Sequence, residues 1–439
     1  MMYKIRVFFL VGILIPATLF AQTTRLSLQE AVDYGLKNHP QVQASDLGIR
    51  SAEVTVDARI ATGLPQVDAK IDYQNFIELP TSLIPAEFFG GEPGTFQPVQ
   101  FGTEQNVSAS ISASQLLFNG AWLVGVSAAK QYAALVKQQS KLATSDVRKN
   151  VESAYYGVLV AQKFEELLQQ NINNLNKVLF EVTELHKQGF VESIDVDRLT
   201  ISKTTLEGQL SNAQRQTALS LQFLKFSMGM DLITSIELTD TIGPIQEVHI
   251  AAANYMNRPE FGIMESLVTL NELNVKVNKA AYLPSLIAYG SYTQNAQRNE
   301  FNFFDSDEPW FDIGLVGVTL SVPVFSGTMR RSSVQLAEIA LEKVRLEQYT
   351  ATQGILLEVE KAKTDYQNAL SDLGVQEKNI ELAQKIYNTA LIKYREGVGS
   401  SLELNNAEST LYQAQGSYIG TLYNVLNTKT SLNKALGNY

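Results

Sequence analysis

Residues 107–120 read Val-Ser-Ala-Ser-Ile-Ser-Ala-Ser-Gln-Leu-Leu-Phe-Asn-Gly, and residues 121–186 that follow contain no proline. Two periods meet at this point. Up to Ser114 the alternation is strict, with Val107, Ala109, Ile111 and Ala113 on one face and four serines on the other. That is the pattern of a strand with one apolar and one polar face, over about the 9–11 residues that a membrane strand needs. After the Phe118-Asn119-Gly120 corner the period becomes helical, and a proline-free run of this length makes a rod of about 100 Å at 1.5 Å per residue.

Upstream, Leu64-Pro65 closes a helix-like run, and Val67, Ala69, Ile71 and Tyr73 alternate with Asp68, Lys70, Asp72 and Gln74. The two alternating segments form the first predicted hairpin. The same order recurs later. Leu283-Pro284 precedes an alternating pair (Leu286, Ala288, Gly290, Tyr292, then Val316, Val318, Leu320, Val322), and Phe325-Ser326-Gly327 follows. The opposite faces of this second pair carry Ile287, Tyr289, Ile313 and Leu315, so its pattern is noisier. Phe118 and Phe325 are 207 residues apart, and the glycine turns around Gly189 and Gly397 are 208 apart. A register kept through two long helices marks a duplicated unit.

Within the helical runs, apolar or small residues step by three and four. Val151, Ala154, Val158, Ala161, Leu168, Ile172, Leu175, Leu179 and Val182 form one seam; Val359, Ala362, Tyr366, Ala369, Leu373, Ile380, Ala383, Tyr387 and Ala390 form its counterpart. The returning helices continue it through Val196, Leu199, Leu206 and Leu210, then Leu404, Ala407, Leu411, Ala414, Tyr418, Leu422 and Val425. Such spacing specifies coiled-coil hairpins. The expected fold class is mainly α with membrane β. It is a two-fold internal repeat of long coiled-coil helical hairpins plus β-hairpins.

The expected organisation is a signal peptide at 1–21, a first repeat at 22–228, a linker at 229–257 and a second repeat at 258–439. The first repeat holds helices at 22–63, a β-hairpin at 66–118 and a coiled-coil hairpin at 120–228. The second holds a helix at 259–283, a β-hairpin at 285–325 and a coiled-coil hairpin at 327–436. Lys4 and Arg6 before the apolar run Val7–Ile15, with Ala21 as a cleavable small residue, carry the signal reading. The first helical stretch is expected from Leu26, with Ser27 and Glu30 as a capping box and His39-Pro40 as a break. Residues 78–102 and 295–309 are read as aromatic-rich loops, and Ile233–Leu238 as a strand-like piece of the linker.

Composition excludes several functions. The chain has 35 Lys and Arg against 45 Asp and Glu, a net charge of −10, and no Cys. An acidic chain lacks the basic face that nucleic acid needs. Without cysteine there is no disulfide framework, thiolate metal site or N-terminal lipid-bearing cysteine. There is no Walker loop, nucleotide fingerprint or paired-histidine metal motif, and His39, His186 and His249 are scattered. No cofactor, metal or catalytic residue is expected. His186, Ser193 and Asp195 lie close in sequence, but a turn between two solvated helices offers no water-excluded pocket for a triad.

Four membrane strands leave open edges, which lipid does not tolerate, and the smallest single-chain barrels have about eight strands. The strands must therefore close with copies from other chains. Sequence physics demands the ring without fixing its number.

At Asn257-Arg258-Pro259-Glu260, at Ala280 through Leu286 with its Leu-Pro-Ser-Leu, at Pro323-Val324-Phe325-Ser326-Gly327, and along the last helix from Asn406-Ala407 to Ala435-Leu436-Gly437, the chain resembles the TolC-like outer-membrane efflux proteins. The resemblance covers essentially the whole mature length. It implies a homotrimer in which a twelve-stranded β-barrel in outer-membrane lipid is continuous with an α-helical barrel in the periplasm. It also implies a passive exit duct for small molecules, docking with a periplasmic adaptor protein and an inner-membrane pump. An exit duct for type I protein secretion is the alternative within transport. A structural or adhesive trimeric coiled coil with a barrel anchor is the alternative of another class, although such anchors gather their strands at one end of the chain. A soluble coiled-coil adaptor is a third.

The resemblance marks two sets of residues. The hairpin tips, Gly189, Phe190, Val191, Gly397, Val398 and Ser400, resemble the adaptor-contacting surface. Glu403 matches a position where the family places carboxylates around the periplasmic aperture, while Asn406 departs from the next such position. Asp195 stands at the comparable place in the first repeat.

Overall fold

A computed structural model describes residues 24–243 and 255–439. The predicted signal segment, and His249 and Pro244 in the linker, lie outside the described residues. The elements in chain order are β1 (Thr24–Leu26), α1 (Leu28–Asn38), α2 (Pro40–Ala61), β2 (Gln66–Asn75), β3 (Thr81–Pro85), β4 (Phe96–Gln100), β5 (Gln105–Asn119), α3 (Gly120–Lys187) and α4 (Ser193–Met228). They continue with β6 (Ile236–Leu238), α5 (Pro259–Ala280), β7 (Ser285–Arg298), β8 (Phe311–Ser321), α6 (Met329–Arg395) and α7 (Ser401–Ala435). These fall into two units, one of residues 45–142 and 255–355, the other of residues 24–44, 143–243 and 356–439 among those described.

The first unit holds a four-stranded antiparallel sheet in the order β2-β5-β7-β8. Its register follows the alternation. Val67 faces Ala113, Ala69 faces Ile111 and Ile71 faces Ala109, while Asp68, Lys70 and Asp72 face Ser112, Ser110 and Ser108. Across β5 and β7, Ile111 pairs with Tyr292 and Ala113 with Gly290; across β7 and β8, Ala288 pairs with Val318 and Leu286 with Leu320. One face thus carries Val67, Ile71, Ile111, Tyr292, Val316, Val318 and Leu320, all exposed. The serine face also receives Ile313 and Leu315 from β8, which explains the noisier second pattern. Strands β2 and β8 each have a single neighbour in the sheet, so among the described residues both outer edges are unpaired.

The two Phe-x-Gly corners turn for different reasons. A β-bulge between Leu116 and Phe118 shifts the register against β7, the ladder ends two pairs later at Asn119 opposite Ser285, and the Asn119 side chain accepts the Trp122 amide at 2.9 Å, starting α3. A Cβ on Gly120 would come within 2.6 Å of Leu283, so this glycine makes room. Gly327 instead sits at φ +59°, a left-handed conformation that disfavours side chains.

Two expectations need correction here. Residues 78–102 contain a small sheet, in which β3 pairs antiparallel with β4 (Leu83 opposite Pro98, Pro85 opposite Phe96). Prolines and glycines hide strands this short. Residues 295–309 begin as strand, since β7 runs to Arg298. Beyond it, Phe301 and Phe303 pack edge-to-face with each other at 5.5 Å and with Tyr73 at 5.9 and 6.1 Å.

The second unit is built on three buried clusters. Leu168, Ile172, Leu175, Val178 and Val182 of α3 meet Leu199 and Leu206 of α4, Ala383, Tyr387 and Ala390 of α6, and Leu404, Ala407 and Leu411 of α7. Val359, Tyr366, Ala369 and Leu373 of α6 meet Leu422, Val425 and Leu432 of α7. Val147, Val151, Tyr155 and Val158 of α3 meet Ala31, Val32, Leu224 and Met228, together with Leu26 and Ile236. Every seam residue read from the sequence is buried or half-buried. Leu26 is a third correction. It belongs to β1, which pairs in parallel with β6, and α1 starts at Leu28. The Ser27–Glu30 capping box is formed, and His39 separates α1 from α2. The single Tyr155 hydroxyl hydrogen is shared between the Leu26 carbonyl at 3.0 Å and Asp240 at 2.9 Å, tying the short parallel pair to α3.

Candidate functional site

The hairpin tips come from helix ends that need a left-handed residue. α3 ends with Gly189 at φ +78°, and α6 with Gly397 at φ +73°. At the first tip, the Phe190 amide donates to Leu185 O at 3.0 Å and the Gly189 amide to His186 O at 2.9 Å. At the second, the Val398 amide donates to Lys393 O at 3.0 Å and the Gly397 amide to Tyr394 O at 3.1 Å. Both are Schellman motifs, which satisfy carbonyls that the helix end would otherwise leave free. His186 serves the first turn by donating from Nδ1 to Val191 O at 3.0 Å. The returning helices start differently. Ser400 caps α7 by accepting the Glu403 amide at 3.1 Å, whereas Glu192 precedes α4 without a side-chain cap.

The tips expose apolar side chains. Phe190 is 74% and Val398 77% exposed, while Val191 packs partly against the core. Ser400, Glu403 and Asn406 line one groove of about 680 Å³ between α6 and α7, with Lys385, Thr389 and Lys393. The Glu403 carboxylate accepts from Lys393 Nζ at 2.9 Å, and both side chains are about half exposed. Surface pairs of this kind contribute about 0–1 kcal/mol, so the pair tempers the charge of Glu403 without removing it. Asn406 is exposed. Asp195 does not line this groove. It lies 4.0 Å from Arg198, whose guanidinium donates to Ser401 Oγ at 2.8 Å. A second link between α4 and α7 runs from Ser202 Oγ to Asn405 Oδ1 at 2.9 Å. Glu181 of α3 and Arg395 of α6 form a two-pronged pair, both bonds 2.9 Å long.

Two residues escaped the sequence reading. Lys393, the partner of Glu403, gave no signal, because residues ten apart are joined only by the turn. Glu408 did give one. It stands four residues after Leu404 and three before Leu411, on the seam, and it is 2% exposed. The Tyr412 hydroxyl donates to its Oε1 at 3.1 Å. Burial pushes this carboxyl up to about 7, with the Tyr412 hydrogen bond pulling the other way. Among the described residues, no group of three or more His, Asp or Glu could hold a metal ion, and no helix is long and apolar enough to cross a membrane.

Exposed apolar side chains at the hairpin tips and on one face of the open sheet suit contact with other chains and with lipid. The family described as "Outer membrane efflux protein" matches residues 32–230 and 256–438, and the chain belongs to that family. It is 25% identical over 296 residues to the pyoverdine export outer membrane protein OpmQ of Pseudomonas putida, which covers 66% of this chain and 61% of OpmQ. It is 22% identical over 297 residues to the probable efflux pump outer membrane protein TtgC of Pseudomonas putida, covering 66% of this chain and 60% of TtgC. The chain thus spans about three fifths of the length of these relatives. A solved structure of CusC has the same fold, with a TM-score of 0.76 at 16% identity, covering 93% of this chain and 91% of that one. The family and both relatives are described as outer-membrane proteins, which places this chain in the outer membrane.

Proposed function

We propose that the chain is one protomer of a passive homotrimeric exit duct for small molecules. The observation that carries this reading is the four-stranded sheet with an exposed apolar face and two unpaired edges. In lipid those edges must pair, and three copies close a twelve-stranded barrel. The two helical hairpins of each copy supply the wall of an α-helical barrel in the periplasm. On this reading residues 1–21 are the signal peptide, 22–228 and 258–439 are the two repeats, and 229–257 link them. The exposed tips at Gly189, Phe190, Val191, Gly397, Val398 and Ser400 meet a periplasmic adaptor, and an inner-membrane pump supplies the energy. Pyoverdine export for OpmQ and efflux for TtgC support the small-molecule reading, while the similar alkaline protease secretion protein AprF of Pseudomonas aeruginosa supports the secretion alternative.

The test is the oligomeric mass of the detergent-extracted outer-membrane protein by light scattering, with single-channel recording of the same sample. A three-chain species that conducts ions is expected. A monomer, or a protein absent from the membrane fraction, would overturn the proposal.

Three copies would bring three Glu403 side chains toward the axis, with Asn406 beside them and Asp195 on the neighbouring hairpin. A carboxylate ring attracts cations and raises the barrier to anions. Glu403→Gln is therefore expected to weaken block by multivalent cations in planar bilayers. The Lys393 pair makes the effect moderate, and unchanged block would remove Glu403 from the aperture.

A further inference from the structure

Between α4 and α7 lies a groove of about 610 Å³ that no step of the duct reading uses. Arg198, Ser202, Gln209, Asn405, Glu408 and Gln413 line it, and Arg198 is its cation. Glu408 stands at a core position, its Oε1 held by Tyr412 and its Oε2 buried without a hydrogen-bond partner. An acid left half-satisfied under a seam is costly when ionised. We propose that Glu408 is a proton-operated latch between α4 and α7: protonated, it leaves Arg198 on Ser401; ionised, it draws Arg198 away and releases the first turn of α7.

The surrounding charges leave Arg198 as the group free to respond. On α7, Tyr412 donates to Glu408, and burial with the nearby carboxylate holds its phenol neutral. On α6, burial and then Glu408 push the Tyr387 phenol up to about 12, so it also stays neutral. Tyr394 of α6 is raised by burial and by Asp195. Arg395 of α6 is engaged in two bonds to Glu181 of α3, and Lys393 is engaged with Glu403. From α3, Phe164 lines the groove and brings no charge. On α4, Asp195 is 4.0 Å from Arg198, a loose pair, and the Arg198 bond to Ser401 is to a neutral hydroxyl. A bare carboxylate is the stronger acceptor for a guanidinium. Movement of Arg198 toward Glu408 would end the contact that fastens Ser401, the first residue of α7, beside Ser400 and Glu403.

The direction in pH follows from linkage. The folded carboxyl binds its proton more tightly than an unfolded one, whose ordinary value is 4.5. Its contribution to stability is complete below that value, falls as pH rises from there to about 7, and is level above. The latch is therefore fastened in acid and released in mild base.

The test uses the full chain in detergent, where the absence of cysteine allows clean labelling. Spin labels on Thr204→Cys of α4 and Leu402→Cys of α7 report their separation by pulsed electron resonance at pH 5.5 and 8.5. The distance is expected to lengthen at pH 8.5 with Glu408 present, and to keep its pH 5.5 value at both pH values in Glu408→Gln. Arg198→Met, which removes the link itself, is expected to give the long distance at both. No change with pH in the unsubstituted seam, or an equal change in Glu408→Gln, would overturn the latch. The readout needs no conduction, so a shift in a non-conducting protein would sink the duct and keep the latch, and a conducting trimer without a shift would do the reverse.

Discussion

Ile111→Arg is expected to remove the assembled protein from the outer membrane, while Ser112→Arg, one residue further along the same strand, leaves it in place. Both positions lie in the middle of β5. Ile111 is flanked by Ala69 on β2 and Tyr292 on β7, and Ser112 by Asp68 and Ser291. Successive side chains of a strand point to opposite faces, so the two substitutions test opposite sides of one wall. An arginine facing lipid at the bilayer midplane costs about 2–4 kcal/mol, and three copies raise that to roughly 6–12 kcal/mol per assembly. An arginine facing a water-filled interior costs little, and beside Asp68 it gains a neighbour of opposite charge. The measurement is the amount of heat-modifiable oligomer in the outer-membrane fraction for each variant. Equal amounts would contradict a membrane sheet. The reverse order would place the serine face against lipid.

Leu175→Ala is expected to destabilise the helical unit by about 3–5 kcal/mol. Leu175 is fully buried where α3, α4, α6 and α7 converge, among Ile172, Leu206, Tyr387 and Leu404. Truncation there removes three carbons from a site enclosed by four long helices, which cannot shift independently to close the cavity. Leu175→Met keeps the volume and is expected to cost under about 1.5 kcal/mol. Thermal unfolding followed by circular dichroism at one protein concentration checks both. A loss below about 1 kcal/mol for the alanine variant would show that this four-helix core is not close-packed.

These positions also show how far one-dimensional reading reaches. Ile111 and Leu175 were both visible in the sequence, the first by alternation and the second by heptad spacing, because each pattern is a local response of the backbone to having one apolar side. The glycines at 189 and 397 were visible for a related reason, since only a left-handed residue closes a helix end so tightly. Strands β3 and β4 were not, because five-residue strands broken by Pro85 and Pro98 carry too little period to stand out. Among the proposed site residues, Glu403 and Asn406 were reached through the family resemblance, while their common groove and the Lys393 pair were not.

By itself, then, the sequence determined the long helices, the seams they bury, and the alternating strands of the two main hairpins. Tertiary structure alone decided that β5 joins β7, paired between Gln105 and Arg298 at one end and Asn119 and Ser285 at the other, that Arg198 reaches Ser401, and that Glu408 lies under a groove with one oxygen unpartnered. The division has a physical cause. Periodicity and turn chemistry depend on neighbours within a few residues. The partner of a strand edge, and the solvation of a carboxylate, depend on which distant segments close over it.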